Sequence, residues 1–222
     1  QRLGLAAFGT STVALIGLNG AGKSTLIKIL SGALRSDSGT LTLAGRPYAP
    51  TSPAAARSRG LAVVYQERTL IPNLSVAENI LLGAEPTRLG FLQRHATHAK
   101  VAAICNHYGI DLPVRANVNT LGAGERQLVD IVKAMRGEAQ LLLLDEPTSA
   151  LTLNETERLF AVMDQLKSRG VGIVFVSHRL DEVLRVSDRI VILRDGRTVG
   201  DVARVDADTE TILRLIGGVA RT

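Results

Sequence analysis

Residues 17–24 read GLNGAGKS and fit the pattern G-x-x-x-x-G-K-[ST] of a phosphate-binding loop. Glycines at 17, 20 and 22 free the backbone to curl, so that successive N–H groups converge on phosphate oxygens. Such a loop requires a strand to enter it and a helix to leave it. The sequence supplies both. VALI (13–16) is an apolar run suited to a buried strand, and STLIKIL (24–30) suits a helix whose positive dipole end faces the anion. In this pattern Lys23 reaches the β- and γ-phosphates and Ser24 holds Mg²⁺. The feature therefore restricts the chain to an α/β architecture built on strand–loop–helix units.

The 222 residues suit one large α/β domain, or one domain with a small appended lobe. The net charge of +5 comes from scattered rather than clustered Lys and Arg, which marks solvated surface. Aromatic residues make up 3% with no Trp, which argues against a base-stacking nucleic-acid platform. The cluster Arg57, Arg59 and Arg68 lacks interleaved aromatics and reads as surface. The lone cysteine, Cys105, allows no internal disulfide, fits a reducing compartment and sits in an apolar helical stretch as a small core residue. No apolar run nears the ~20 residues that span a bilayer, and residues 1–22 lack the basic and apolar regions of a signal peptide. The expectation is a soluble cytosolic chain able to dock on a membrane-embedded partner.

Strands and helices alternate, which argues for a largely parallel sheet. Strands are predicted near 12–16, 40–43, 61–65, 140–145, 171–176, 189–194 and 197–201. Helices are predicted near 23–31, 53–59, 76–82, 93–108, 125–136, 154–169, 180–186 and 208–216. Ser75 with Glu78 and Thr152 with Glu155 fit capping boxes. Asp195 and Gly196 signal a tight hairpin. The helical stretch from about 70 to 136 interrupts the alternation and reads as a lobe inserted into an α/β core of about 1–69 and 137–222, with looser connections at 87–90 and 113–119.

The run LLLLDE (141–146) is a buried strand ending in two acids, delivered to the carboxyl edge of the sheet. Asp145 can hold Mg²⁺ there, and Glu146 can accept a proton from a water attacking the γ-phosphate. Gln66 follows the strand at 61–65 and can touch the metal or the attacking water. His178 follows the strand at 172–176 and can hydrogen-bond the γ-phosphate. LGAGERQ (121–127) is a glycine-rich turn opening a long helix, a second place where free amides can meet an anion. His95, His98 and His107 share one predicted helix, lack the three or four ligands of a metal site and read as surface.

Taken together, the phosphate loop, Gln66, LGAGERQ, LLLLDEP, SALT (149–152) and His178 stand in the order and spacing of the ATP-binding cassette (ABC) ATPases, which the chain resembles from about Thr12 to Gly217. More narrowly it resembles the first nucleotide-binding half of bacterial monosaccharide importers of the ribose, xylose, arabinose and galactose type. The residues behind that narrower resemblance are GLNGAGKSTLIKILSG, VVYQERTLIPNLSVAENILLG, DEPTSALT and VSHRLDEV followed by DRIVILRDGR. The resemblance implies a P-loop NTPase core with a mostly parallel sheet, an inserted helical lobe and a reduced antiparallel β part. It implies that Gly17, Leu18, Asn19, Gly20, Ala21, Gly22, Lys23, Ser24 and Thr25 bind ATP. Ser24, Gln66 and Asp145 would serve Mg²⁺, Glu146 would be the general base and His178 the switch histidine. Leu121, Gly122, Ala123, Gly124 and Glu125 would form the signature loop that meets ATP on an opposing cassette. The implied partners are a second ABC ATPase domain, membrane-spanning permease subunits and, indirectly, a periplasmic sugar-binding protein, at the cytoplasmic face of the inner membrane and without nucleic acid.

The chain departs from that pattern in two ways. Gly122 stands where a serine is usual and Ala123 where a glycine is common, which removes a hydroxyl bond to the γ-phosphate worth roughly 1.5–3 kcal/mol. The family's adenine-stacking aromatic lies farther upstream than the 22 residues that precede Lys23, and Phe8 sits too near the loop to replace it. The first strands expected of the family would be missing with it, leaving a bare sheet edge. The importers also continue beyond Gly217 into a second cassette, so the expectation is a fragment or a half that needs a partner. The competing readings are an ABC ATPase acting on nucleic acid or ribosomes, and a weakly hydrolysing nucleotide-binding regulatory module.

Overall fold

A computed structural model describes residues 10–67 and 69–217; Phe8 and Arg68, with the expectations that fell on them, lie outside these. In chain order the elements begin β1 (Thr12–Ile16), α1 (Lys23–Leu30), β2 (Thr42–Leu43), β3 (Arg46–Pro47), α2 (Pro53–Ser58) and β4 (Leu61–Val64). A helix-rich stretch follows, with α3 (Val76–Ile80), a hairpin of β5 (Thr87–Arg88) and β6 (Phe91–Leu92), α4 (Arg94–Tyr108) and α5 (Ala123–Ala134). The chain returns to β7 (Leu141–Asp145), α6 (Leu153–Ser168), β8 (Gly172–Val176), α7 (Leu180–Val186), β9 (Arg189–Arg194), β10 (Arg197–Ala203) and α8 (Thr209–Gly217).

The main sheet runs β10-β9-β1-β8-β7-β4, parallel throughout except for β10 at one edge. Its strands are near-continuous apolar runs because both faces are covered. Along β1, Val13 and Leu15 face one core with Leu26, Ile27 and Ala56 of α1 and α2. Ala14 and Ile16 face the other with Val129, Val132, Leu159 and Met163 of α5 and α6. Phe160 of α6 meets Phe175 of β8 edge to face with ring centres 6.1 Å apart. Both capping boxes form. At α3, Ser75 and Glu78 satisfy each other's amides at 2.8 and 3.2 Å. At α6, Thr152 and Glu155 do so at 2.9 and 3.4 Å.

Three expectations need correction. Residues 87–90 are not a loose connection: β5 and β6 form a hairpin turning at Leu89 (φ 52°) and Gly90 (φ 83°). The same two-residue geometry joins β2 to β3 through Ala44 (φ 51°) and Gly45 (φ 73°), where a single strand was expected at 40–43. Both turns lack the Asn or Asp that usually advertises them; Asp195 (φ 51°) and Gly196 (φ 72°) between β9 and β10 have it. Nor are residues 113–119 loose. Ala116 and Val114 accept from the amides of Val76 and Ala77 at 2.9 and 3.0 Å, and Val118 and Asn119 donate to Leu74 and Pro72 at 3.0 Å.

Candidate nucleotide site

Four adjacent strands, β1, β8, β7 and β4, deliver their carboxyl ends to one edge of the sheet, where open α/β folds bind ligands. The phosphate loop leaves β1, Asp145 ends β7, and His178 and Gln66 follow β8 and β4.

The glycines of the loop do different work. Gly20 (φ 80°) and Gly22 (φ 102°) hold left-handed backbone. Gly17 is needed for closeness: a Cβ there would lie 2.3 Å from the Leu193 carbonyl oxygen of β9. The β9–β10 turn also buttresses the loop, since the Gly196 amide donates to the Ala21 carbonyl at 3.0 Å. Leu18, Asn19, Gly20, Ser24 and Thr25 are exposed, while Ala21 is buried. No side chain caps α1, so its first-turn amides keep their capacity for an anion. Lys23 is 9% exposed, and its Nζ donates to the carbonyls of Gly17 at 2.6 Å and Leu18 at 3.1 Å. Burial pulls this ammonium's pKa down, against the negative charges of Glu146 and Asp145.

The acids form the other wall. Burial and the neighbouring Glu146 push the Asp145 carboxyl above its usual range, with Lys23 opposing. Glu146 turns sharply out of β7 at φ 47°, and its amide donates to the Val176 carbonyl at 2.9 Å. Its carboxylate collects both of the sequence-derived companions. His178 Nδ1 lies 3.1 Å from Oε1, and Gln66 Nε2 donates to Oε2 at 3.4 Å. Glu146, His178 and Gln66 thus meet around one carboxylate. Lys23 and Asp145 lie within electrostatic reach, and Ser24 directly follows Lys23.

Residues 121–125 stand apart from this group. Gly122 precedes α5, and its amide donates to Glu125 Oε2 at 2.9 Å. With no side chain, Gly122 cannot return the bond, so only half of a capping box exists. The Gly124 amide donates instead to Glu155 Oε1 at 2.8 Å. Arg126 grips the Leu121 carbonyl through Nε and Nη2 at 2.9 and 2.7 Å.

Sequence reasoning passed over Glu182. It is 3% exposed on α7 and accepts from Thr148 Oγ1 at 2.6 Å and from Ser177 Oγ at 3.1 Å. Arg179 Nη1 lies 2.8 Å from its other oxygen, close enough for an ion pair though off the angle of a hydrogen bond. Thr148 follows Glu146 by two residues and Ser177 precedes His178, so one buried carboxylate braces both loops. An acid in the first turn of a predicted helix was the only signal. Cys105 is buried as expected, which pushes its thiol up to about 11. His95 and His107 are exposed on α4 and His98 is half-buried there.

Strand order, loop and acids define a P-loop nucleotide-binding cassette. The pattern of the ABC transporter family matches residues 2–149, and the chain belongs to that family. It is 47% identical to the ribose import ATP-binding protein RbsA 1 of Rubrobacter xylanophilus over 204 residues, 92% of this chain and 41% of that protein. It is 46% identical to the galactofuranose transporter ATP-binding protein YtfR of Escherichia coli K12 over 188 residues, 85% of this chain and 38% of that protein. The chain therefore spans about two-fifths of the length of these curated relatives. Among solved structures, a nucleotide-free ATP-binding cassette from an ABC transporter superposes with a TM-score of 0.79 at 20% identity, covering 99% of this chain and 92% of the other. The ADP conformation of another cassette gives 0.77 at 22% identity, covering 95% and 85%. These last two establish the fold.

Proposed function

We propose that this chain is a nucleotide-binding subunit or half-subunit that binds and hydrolyses ATP·Mg²⁺ to power import of a simple sugar. The observation that carries the reading is the Glu146 carboxylate, bracketed by His178 and Gln66 at 3.1 and 3.4 Å beside Asp145 and Lys23. The loop amides and the uncapped start of α1 receive the phosphates, with residues 17–25 as the binding segment. Lys23 exchanges its carbonyl partners for phosphate oxygens. Glu146 takes the proton of the attacking water, while His178 and Gln66 fix the carboxylate's orientation.

The donor set fits Mg²⁺. Ser24, Gln66 and Asp145 offer hard oxygens, and burial beside Glu146 makes a charge on Asp145 costly, a cost that a bound cation would offset. Mg²⁺, when bound, would counter the charge on the β- and γ-phosphates.

In this reading the core comprises residues 1–69 and 137–222, and residues 70–136 form the helical lobe. A second cassette, fused or separate, presents its own counterpart of residues 121–125 to the nucleotide held here. The lobe passes the motion to membrane-spanning permease subunits at the cytoplasmic face of the inner membrane, and a periplasmic protein delivers the sugar. The names of the 47% and 46% identical relatives support the sugar class. Among the described residues no helix is long and apolar enough to cross a membrane, consistent with peripheral attachment.

The test is Mg²⁺-dependent ATP turnover with and without membrane partners. Glu146→Gln is expected to lower kcat by about 10²–10⁴ while nucleotide still binds. Lys23→Ala is expected to weaken nucleotide binding itself. Turnover unchanged in both variants would refute the catalytic assignment, and turnover without partners equal to that with them would favour a non-transport role.

A further inference from the structure

The first turn of α5 borrows a cap from another element. Glu155 lies 31 residues away in sequence, yet its Oε1 accepts the Gly124 amide at 2.8 Å. Its Oε2 meanwhile accepts the amide and hydroxyl of Thr152 at 2.9 and 2.8 Å. One carboxylate therefore ends two helices. A capping box at α6 explains Oε2 but gives no reason for Oε1 to reach α5, which already has Glu125 on the Gly122 amide. The glycine at 124 has the same cause. Its backbone lies outside the left-handed region, but a Cβ there would come 2.9 Å from Glu155 Cγ and 3.1 Å from Glu155 Cβ. The Glu155 stem thus fills the space that any side chain at 124 would need.

The connection continues to the catalytic loop. Between Glu146 and Thr152 the chain runs through tight turns, with the Ser149 amide donating to Glu146 at 3.3 Å and the Leu151 amide to Thr148 at 3.0 Å. We propose that Glu155 is a positioning residue that locks the turn at 121–125 to the segment leaving Glu146. The amides offered to an opposing nucleotide and the loop carrying the base then move as one body. The inference rests on the ATPase reading above and adds to it a residue that touches no nucleotide.

A double-mutant cycle in the full protein, assembled with its partners, tests it. Glu155→Ala is expected to lower kcat about tenfold, the scale of one charge-assisted hydrogen bond, with KM for ATP within about twofold because the gripping loop is untouched. Gly124→Ala is expected to do the same, because its methyl displaces the Glu155 stem. The double variant is expected to be no worse than Glu155→Ala alone. Glu155→Gln keeps an oxygen acceptor and is expected to restore most of the lost kcat. Amide hydrogen exchange at Gly124, read without any turnover, should speed up in Glu155→Ala and stay slow in Glu155→Gln. Single losses that multiply in the double variant, or Gly124 exchange unchanged in Glu155→Ala, would overturn the lock. No ATP turnover in the unsubstituted assembly would instead overturn the ATPase reading and leave the exchange result standing.

Discussion

Glu146 holds a backbone angle that costs a non-glycine residue about 1–3 kcal/mol, at φ 47°. The Val176 carbonyl holds its amide there, so the turn aims the carboxylate at His178 and Gln66 instead of letting it continue the alternation of β7. Beside it, burial and the Glu146 carboxylate raise the cost of a charge on Asp145. Its pKa is raised in the fold, so the stability it allows is complete below its unfolded value and declines as pH rises through the folded one. Asp145→Asn removes that decline. The variant is expected to melt higher than the parent at neutral pH, by about 2–4 °C for each kcal/mol relieved. The difference should vanish in acid, and ATP turnover should be lost. Thermal melts across pH check the first part; equal melting temperatures at neutral pH would refute it. Gly122 offers the opposite kind of change. A Cβ there meets only ordinary contacts, 3.7 Å from Glu155 and 3.8 Å from Glu125, and the backbone is not left-handed. Gly122→Ser completes the capping box, stabilises α5 by a few tenths of a kcal/mol and gives the partner's γ-phosphate a hydroxyl. Turnover is expected to rise by about tenfold or more, the value of one hydrogen bond to a charged group. A fall would show that the hydroxyl has no place in this turn.

At the scale of elements, apolar runs and capping boxes were legible in the sequence because they are local. β1, β4, β7, β8 and β9 lie where uninterrupted Val, Ile and Leu demanded two covered faces, and α3 and α6 start at their Ser/Thr-x-x-Glu signatures. The hairpins at 44–45 and 89–90 were not legible, because Ala and Leu hold positive φ there only through the pairing of their strands. In the site, the residues that gather at the sheet edge, Lys23, Gln66, Asp145, Glu146 and His178, were legible from motif spacing. The carboxylates that brace them were not, because nothing local pairs Glu182 with Thr148 or Glu155 with Gly124. Glu182 gives this a measurable form. It anchors the loop after β7 to the loop after β8 through two hydroxyls and faces the Arg179 guanidinium. Glu182→Ala takes the buried acceptor from two hydroxyls, while Arg179 keeps Asp181 at 3.7 Å, and is expected to cost about 1–3 kcal/mol in urea unfolding, where Glu182→Gln costs less. A loss below about 1 kcal/mol, within the range of surface substitutions, would show that the brace is dispensable.

At the scale of the molecule, the sheet gathers the phosphate loop, Asp145, Glu146, Gln66 and His178 at its carboxyl edge but leaves residues 121–125 out of that group. The hydrogen bonds of that turn run within itself and to Glu155, not to the phosphate loop. In the proposed reading this turn, whose Gly122 and Gly124 amides are held by Glu125 and Glu155, would face a second copy's nucleotide, and the exposed loop face at Leu18, Asn19, Gly20 and Ser24 would face a second copy's turn. In the proposed two-cassette reading such an interface would be isologous, closing with two-fold symmetry and each copy giving one half of each site. Its strength must then depend on the nucleotide that bridges it and on the cation that offsets the triphosphate charge. The 222-residue chain carrying Glu146→Gln, the variant expected to bind ATP and consume it slowly, is expected to change from monomer to dimer mass in light scattering when ATP and Mg²⁺ are added together. EDTA should return it to monomer, and Lys23→Ala should prevent the change. A mass unaffected by ATP and Mg²⁺ at concentrations that saturate binding would show that this chain does not pair with itself through the turn at 121–125, and the reading of two identical cassettes would fall with it.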